Sequence, residues 1–508
     1  MKTIAGCLSI ALLLCAHGHG RATETRPSVP RFERAECGFR EVDAGWPAQN
    51  RIDCGWLHVP EARDGQPGRT LKLWVAIARA EGNSTEAPLL YVHGGPGLAT
   101  VDYFFPYFPK SRTWPAFRAN RDLVFFDQRG TGRSEPSFCP DLKPELEHLR
   151  KLALPSATNL ERTRAAFSEC RAKLQAAGFA MDSLNTRATV EDAEDLRRAL
   201  KIERWSVYGV SYGSLVALDY LRTHPASVHA AILDSVYPPN SVHGHEQISA
   251  TALGYAALQR ACDQRPQCKA GFPDIAARLR AATRRLDEKP LVSPDGTRID
   301  GERLREAIWA MLVTSATVEW VPLAIDRAAA GDDESIRGLV ALFGGFDGFG
   351  DYSPGQALAV NCHDVGVGRK AASVRLAQQR YPWLADADSI PAEDDVLCAA
   401  WQPRHAPMAF LAPVESTVPT LLYSGEFDPA TPPEDAVLAM RHLANATLAE
   451  VPGASHASMG RDDCTRGIAR AFLSDPARKP DLACLAWREP MAFHREGLKD
   501  FIDSMRSE

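Results

Sequence analysis

The stretch WSVYGVSYGS (Trp205 to Ser214) constrains this chain more than any other. An apolar run ends on a serine with a glycine two positions away on either side, and a helical pattern, YGSLVALDYLRTH, begins at once. In a tight strand–turn–helix junction, small residues at those two positions let strand and helix approach closely. The turn then projects the serine hydroxyl out of a sheet and beside a helix N-terminus, where backbone N–H groups favour negative charge. The spacing therefore predicts a parallel sheet, a helix behind it, and a presented nucleophile at Ser211.

The surrounding pattern agrees. PLLYV (Pro88 to Val92) and DLVFF (Asp122 to Phe126) are continuous apolar runs, as in parallel strands buried on both faces. TLKLWVAIARA (Thr70 to Ala80) alternates, predicting an antiparallel strand half exposed to water. TVEDAEDLRRALKI reads as a helix capped by Thr189, with Val190, Ala193, Leu196 and Leu200 on one face. AAILDS returns as a strand. Alternation of this kind predicts an α/β fold with a mostly parallel, doubly covered sheet. It stops after Tyr237-Pro238-Pro239, and from Asn240 to Pro413 the chain reads mainly helical, as a lid would. Strand and helix resume with PTLLYSG, DAVLAMRHL, TLAEVPG and CTRGIARAFL. The expected organisation is a first core part over 36–239, a helical cap insertion over 240–413 and a second core part over 414–508.

The first residues carry Lys2, an apolar core through Cys15, then small residues at Ala16, Gly18 and Gly20. They read as a signal peptide over 1–20, cleaved after Gly18 or Gly20, and imply a secreted or periplasmic protein. That run is too short to span about 30 Å of hydrocarbon, and a lipoprotein processed at Cys15 is disfavoured by the bulky Leu14. A Pro- and charge-rich leader, Arg21 to Ala35, follows. Of twelve cysteines, ten lie beyond Gly20, in neighbouring couples: Cys37 with Cys54, Cys139 with Cys170, Cys262 with Cys268, Cys362 with Cys398, Cys464 with Cys484. Local disulfides are the simplest proposal for an oxidising compartment. A zinc site is the rival, but no CxxC occurs and Cys362-His363 lacks a second ligand pair. A net charge of −6 argues against nucleic acid as a partner.

A hydroxyl needs a base and an orienting acid to become a nucleophile. Among fourteen histidines His456 stands out, in a Gly/Ser loop (VPGASHASMG) directly after a strand. Asp428, in GEFDPATPP just past the strand LLYSG, is the matching acid; Glu426 and Asp234 are its competitors, with Asp234 read as steadying the end of its own strand. The order Ser211, Asp428, His456 is the Ser…Asp…His order of α/β-hydrolases. YVHGGPG (Tyr91 to Gly97) exposes backbone amides at the end of a buried strand, which suits an oxyanion hole built from the Gly95 and Tyr212 N–H groups, with His93 bracing the loop.

HGGPG at 93–97, DQRGTGRSEP from Asp127, GVSYGS at 209–214, GEFDPATPP and the His456 loop together resemble the proline iminopeptidase and tripeptidyl aminopeptidase branch of the α/β-hydrolases. The segments CDQRPQCKAGFP, NCHDV and CAAW are similar to the exported form of that branch, with its tripeptidyl-aminopeptidase-like C-terminal region. The resemblance implies an α/β-hydrolase fold with a helical cap and a secreted serine exopeptidase that removes short N-terminal units from peptides through an acyl-enzyme, with no cofactor and no metal. Asp127 and Arg129 are expected to form a buried pair supporting the oxyanion loop. An exopeptidase must recognise the substrate's ammonium, for which Glu246 and Glu319 are candidates. The alternative reading is a secreted carboxylesterase or amidase acting on small acyl substrates; a binding protein on the same fold is disfavoured, because serine and histidine are both present.

Overall fold

The computed structural model describes residues 29–507, apart from 40–41, 64–67, 106, 153–155, 244–246, 346–350, 366, 382–383, 385–395 and 489. The expected signal peptide therefore lies outside the described residues.

Nine strands form one sheet: β1 (Arg31–Ala35), β2 (Ile52–Pro60), β3 (Thr70–Ala78), β4 (Leu89–Val92), β5 (Leu123–Phe126), β6 (Trp205–Val210), β7 (Val228–Asp234), β10 (Thr420–Gly425) and β11 (Ala446–Val451). β8 (Leu291–Val292) and β9 (Arg298–Ile299) make a separate two-stranded piece. The spatial order is β1-β2-β3-β5-β4-β6-β7-β10-β11. From β5 to β11 neighbours run parallel, whereas β1 to β5 pair antiparallel through β2 and β3. Strands β4 and β5 are apolar and buried at every position because both faces are covered. Leu90 and Val92 of β4 enter one buried cluster, with the helices Thr186–Ala199 and Tyr212–Thr223, while Leu89 and Tyr91 enter another, with the helix Asp463–Ser474.

Three expectations are corrected. β3 is antiparallel, as its alternation suggested, but it is buried on both faces from Leu73 to Ala78. The end of the supposed leader, RFERA, is β1, paired with β2 from Arg31↔His58 to Ala35↔Cys54. As an edge strand it turns Glu33 and Arg34 to water, so its composition hides it. The helix Thr186–Ala199 starts three residues before Thr189, because the Asn185 side chain accepts the Ala188 N–H at 2.8 Å and supplies the cap.

Between β7 and β10 the described chain is mainly helical. The helices Gln247–Asp263, Ile275–Glu288, Gly301–Val313, Val321–Ala329 and Asp333–Phe343 enclose a core of their own. The terminal helix Leu498–Ser507 adds Leu498 and Ile502 to this helical core, not to the sheet. All five cysteine couples are disulfides, with loops of 17, 31, 6, 36 and 20 residues.

Candidate active site

β6 runs straight into Ser211, whose backbone sits at φ 56°, ψ −125° before the helix Tyr212–Thr223 opens. A non-glycine residue at positive φ costs roughly 1–3 kcal/mol and persists only where neighbours over-determine it. Here the Ser211 N–H donates to the Asp234 carbonyl at 2.9 Å, and the Ser211 carbonyl accepts the Ser214 N–H and hydroxyl at 2.8 and 2.6 Å. The flanking glycines are required by space. A methyl on Gly209 would lie 2.2 Å from the Gly213 carbonyl oxygen, and one on Gly213 would lie 2.1 Å from that of Val92.

β4 lies beside β6 with Val92 opposite Gly209, so HGGPG emerges next to the elbow. A methyl on Gly94 would stand 2.9 Å from the Ser211 Cβ and 3.5 Å from its Oγ. Gly95 adopts φ +117°, open to glycine alone at no cost. His93 braces this loop: its Nδ1 pairs with the Tyr91 hydroxyl at 2.9 Å and its carbonyl accepts the Gln128 side-chain amide at 3.1 Å. Burial pushes its pKa down to about 3, so it stays neutral. The Tyr212 N–H is the first amide of its helix and has no intrahelical acceptor.

Asp127 and Arg129 do not pair with each other. Asp127 accepts the N–H groups of Thr100 and Val101, each at 2.8 Å, and of Arg133 at 3.1 Å, tying down the end of the HGGPG loop. Burial pushes its pKa up to about 7 against the pull of those amides. Arg129 forks onto Asp192 at 2.7 and 2.6 Å. Both side chains are fully buried, and each needs a partner of its own, since an unpaired charge in the interior is expensive.

β10 and β11 run in parallel with Gly425 opposite Val451, so the loops carrying Asp428 and His456 leave the same sheet edge. The fully buried Asp428 accepts the His456 Nδ1–H at 2.8 Å, the Thr431 hydroxyl at 2.8 Å, and the N–H groups of Ala430 and Thr431 at 2.9 and 3.0 Å. Burial opposes its charge, but the His456 imidazole and these donors outweigh it and hold its carboxyl below the ordinary value. Burial likewise opposes protonation of His456, and the Asp428 carboxylate overcomes it, raising the imidazole above 6.5. With Nδ1 committed to Asp428, Nε2 is the nitrogen left to take a proton.

Asp234 joins the two halves. Its carbonyl holds the Ser211 amide, while its carboxylate accepts Ser458 N–H at 2.9 Å, Met459 N–H at 3.0 Å and the Tyr208 hydroxyl at 3.0 Å. The Ala457 N–H donates to the adjacent Ser235 hydroxyl at 2.8 Å. Ser211 and the His456 loop thus dock on the same end of β7. Reading Asp234 only as steadying its own strand undersold it, and Thr431 was missed; only its position three residues after Asp428 signals it. Glu426 is engaged elsewhere, accepting the Gly453 N–H. Glu319 meets His494 at 3.2 Å and makes no described bond to Ser211, Asp428 or His456. Glu246 lies outside the described residues.

Two family models match the chain: one described as the alpha/beta hydrolase fold over residues 87–300, the other as TAP-like protein over 386–484. Tripeptidyl aminopeptidase from Streptomyces lividans is 26% identical over 44% of this chain and 43% of that protein. Serine protease Hip1 of Mycobacterium tuberculosis is 27% identical over 83% of this chain and 84% of that one. The chain spans less than half the length of the first curated relatives it matches. Among solved structures, proline iminopeptidase from Mycobacterium smegmatis aligns over 83% of this chain and 98% of that chain, with 16% identity and a TM-score of 0.37.

Proposed function

Because the chain belongs to the α/β-hydrolase superfamily, in the branch of tripeptidyl aminopeptidases and proline iminopeptidases, we propose that it is an exported serine exopeptidase releasing short N-terminal units from peptides. The observation that carries this reading is the buried Asp428–His456 pair, anchored through Asp234 to the strained turn that presents Ser211.

The Ser211 hydroxyl attacks the scissile carbonyl carbon as its proton passes to His456 Nε2. Asp428 stays ionised, keeps the imidazole in the Nδ1–H tautomer and stabilises the imidazolium. The alkoxide of the tetrahedral intermediate is held by the Gly95 and Tyr212 amides. His456 then returns its proton to the leaving amine as the C–N bond breaks, giving an acyl-enzyme. Water, deprotonated by His456, attacks the ester; the released acid leaves and Ser211 regains its proton.

The cap closes over both loops and restricts substrates to short peptides. A free ammonium is recognised by a carboxylate, since charge-assisted bonds are the stronger ones. Glu246 and Glu319 are the candidates, and Glu319 must exchange its His494 bond for the substrate. The five disulfides fit an oxidising, extracytoplasmic setting.

Turnover of free-amine and N-acetylated tripeptide, dipeptide and prolyl amides, beside an acetyl ester, tests the reading. Blocking the amine should abolish amide turnover, and Ser211→Ala should lower kcat by about 10⁴-fold or more with folding intact. Indifference to blocking, with faster ester turnover, would favour the esterase alternative. Wild-type rates in Ser211→Ala would remove the serine mechanism altogether.

A further inference from the structure

The motif NCHDV places Asp364 at the end of the cap helix Pro354–Asp364, only 3% exposed and far in sequence from the elbow. Its Oδ2 accepts both the hydroxyl of Thr186, at 2.6 Å, and the Thr186 N–H, at 3.2 Å. The Thr186 Oγ1 lies 2.9 Å from the phenolic oxygen of Tyr212. The direction of this chain of bonds is fixed by counting protons. A carboxylate only accepts, so the single Thr186 hydroxyl proton is committed to Asp364, and the Tyr212 hydroxyl must donate to Thr186. The other oxygen, Oδ1, pairs with His363 Nδ1 at 2.8 Å.

We infer that Asp364 is a positioning residue for the Tyr212 backbone amide, acting through Thr186 and the Tyr212 side chain. This rests on the reading of that amide as an oxyanion donor. Of the two donors, Gly95 has no side chain by which its amide can be aimed, whereas Tyr212 is gripped at both ends. Its backbone follows the strained Ser211, and its ring is buried with the hydroxyl tied to the cap. A phenol buried at that depth must find a partner, and a partner backed by a carboxylate is stronger than a neutral one. The grip comes from the inserted segment. Leu358, Val360 and Cys362 of the same helix sit in the sheet's core cluster, and Cys362 is bonded to Cys398. A separate brace, Arg187 on Asp219 at 2.7 and 2.9 Å, already joins the helices that begin at Thr186 and Tyr212. The Asp364 chain is therefore not needed to hold those helices together.

The test is kinetic, on the full-length enzyme, with a tripeptide amide as substrate and a fluorophosphonate as label for Ser211. The variants are Asp364→Asn, Thr186→Val, Tyr212→Phe and their pairwise doubles, with Thr186→Ser as the conservative control. Each single variant should lower kcat roughly ten- to a hundredfold, the loss of one charge-backed hydrogen bond, with KM within about twofold. Double variants should be no worse than the poorer single, because all three interrupt one chain, and Thr186→Ser should restore the wild-type rate. Unchanged kcat in Tyr212→Phe would overturn the inference, as would losses that multiply in the doubles or a rise in KM alone. Should Asp364→Asn fail to fold, Tyr212→Phe and Thr186→Val decide the matter from the other end. A wild-type enzyme that neither cleaves the amide nor takes the label would instead defeat the peptidase reading and leave this inference without its premise.

Discussion

His456 is where opposing effects of burial and charge are settled. Burial alone favours the neutral imidazole, yet the Asp428 carboxylate at 2.8 Å wins and lifts its pKa above 6.5. A general base must be neutral, so activity should fall as pH drops through this raised value. We expect the acid limb of the kcat/KM profile to lie above pH 6.5 and to move downward in Asp428→Asn, where only the weaker pull of the Asp234 carboxylate still opposes burial. An acid limb at or below 6.5 in the wild type, or one unmoved by Asp428→Asn, would count against His456 as the base. For stability the sign reverses. The gain from a raised histidine is fully present below 6.5, the unfolded value, and is lost as pH rises through the folded one. His93 shows the other outcome, because no carboxylate faces it and burial alone sets its pKa near 3. Sequence could nominate His456 and Asp428 from loops that follow strands. It could not find the docking role of Asp234, because hydrogen-bond partners more than 200 residues apart leave no local pattern, and a threonine three residues past an aspartate is too common a pairing to single out Thr431.

At the level of elements, Gly209 and Gly213 explain why the motif needs glycine where it does. Gly213 faces β4, and a methyl there would sit 2.1 Å from a backbone oxygen that cannot rotate aside. We expect Gly213→Ala to cost about 3 kcal/mol or more and to lower the melting temperature measurably, together with activity. A wild-type melting temperature would show that β4 and the helix Tyr212–Thr223 can separate without penalty. Strands β4 and β5 were legible because burial on both faces writes itself as an unbroken apolar run. β3 misled, since its Thr70-Leu71-Lys72 alternation describes only its exposed start, and the later residues enter buried clusters on both faces of the sheet. β1 was illegible for the opposite reason: an edge strand carries charges, and nothing in RFERA distinguishes it from a leader. The start of the helix Thr186–Ala199 was displaced because apolar periodicity begins a turn later than the hydrogen bonding does.

Across the whole molecule, the cap is stitched to both loops of the candidate site. On one side the Ala99 N–H donates to the Asp351 carbonyl at 2.9 Å and the Ser353 N–H to the Gly97 carbonyl at 2.8 Å, just before the helix Pro354–Asp364. On the other, the His456 N–H donates to the Val313 carbonyl at 3.1 Å, and the Ser455 N–H to the Ser315 hydroxyl at 2.8 Å. A cap bonded in this way helps to set the geometry of the loops it covers, so constraints on the cap should register in catalysis. The disulfides allow that to be separated from stability. Cys362–Cys398 closes a 36-residue loop at the cap helix, and Cys464–Cys484 closes a 20-residue loop on the far side of the sheet from that helix. Loop-closure entropy distinguishes these lengths by only about 0.5 kcal/mol. Paired Cys→Ala replacement at either site should therefore carry a similar entropic loss, of roughly 3–4 kcal/mol. The buried Cys362 adds a packing cost at the cap site. Assayed well below both melting temperatures, the Cys362/Cys398 variant should lose at least about tenfold in kcat, while the Cys464/Cys484 variant stays within about twofold of the wild type. Equal losses of kcat in the two variants would mean that the cap covers the site without helping to shape it.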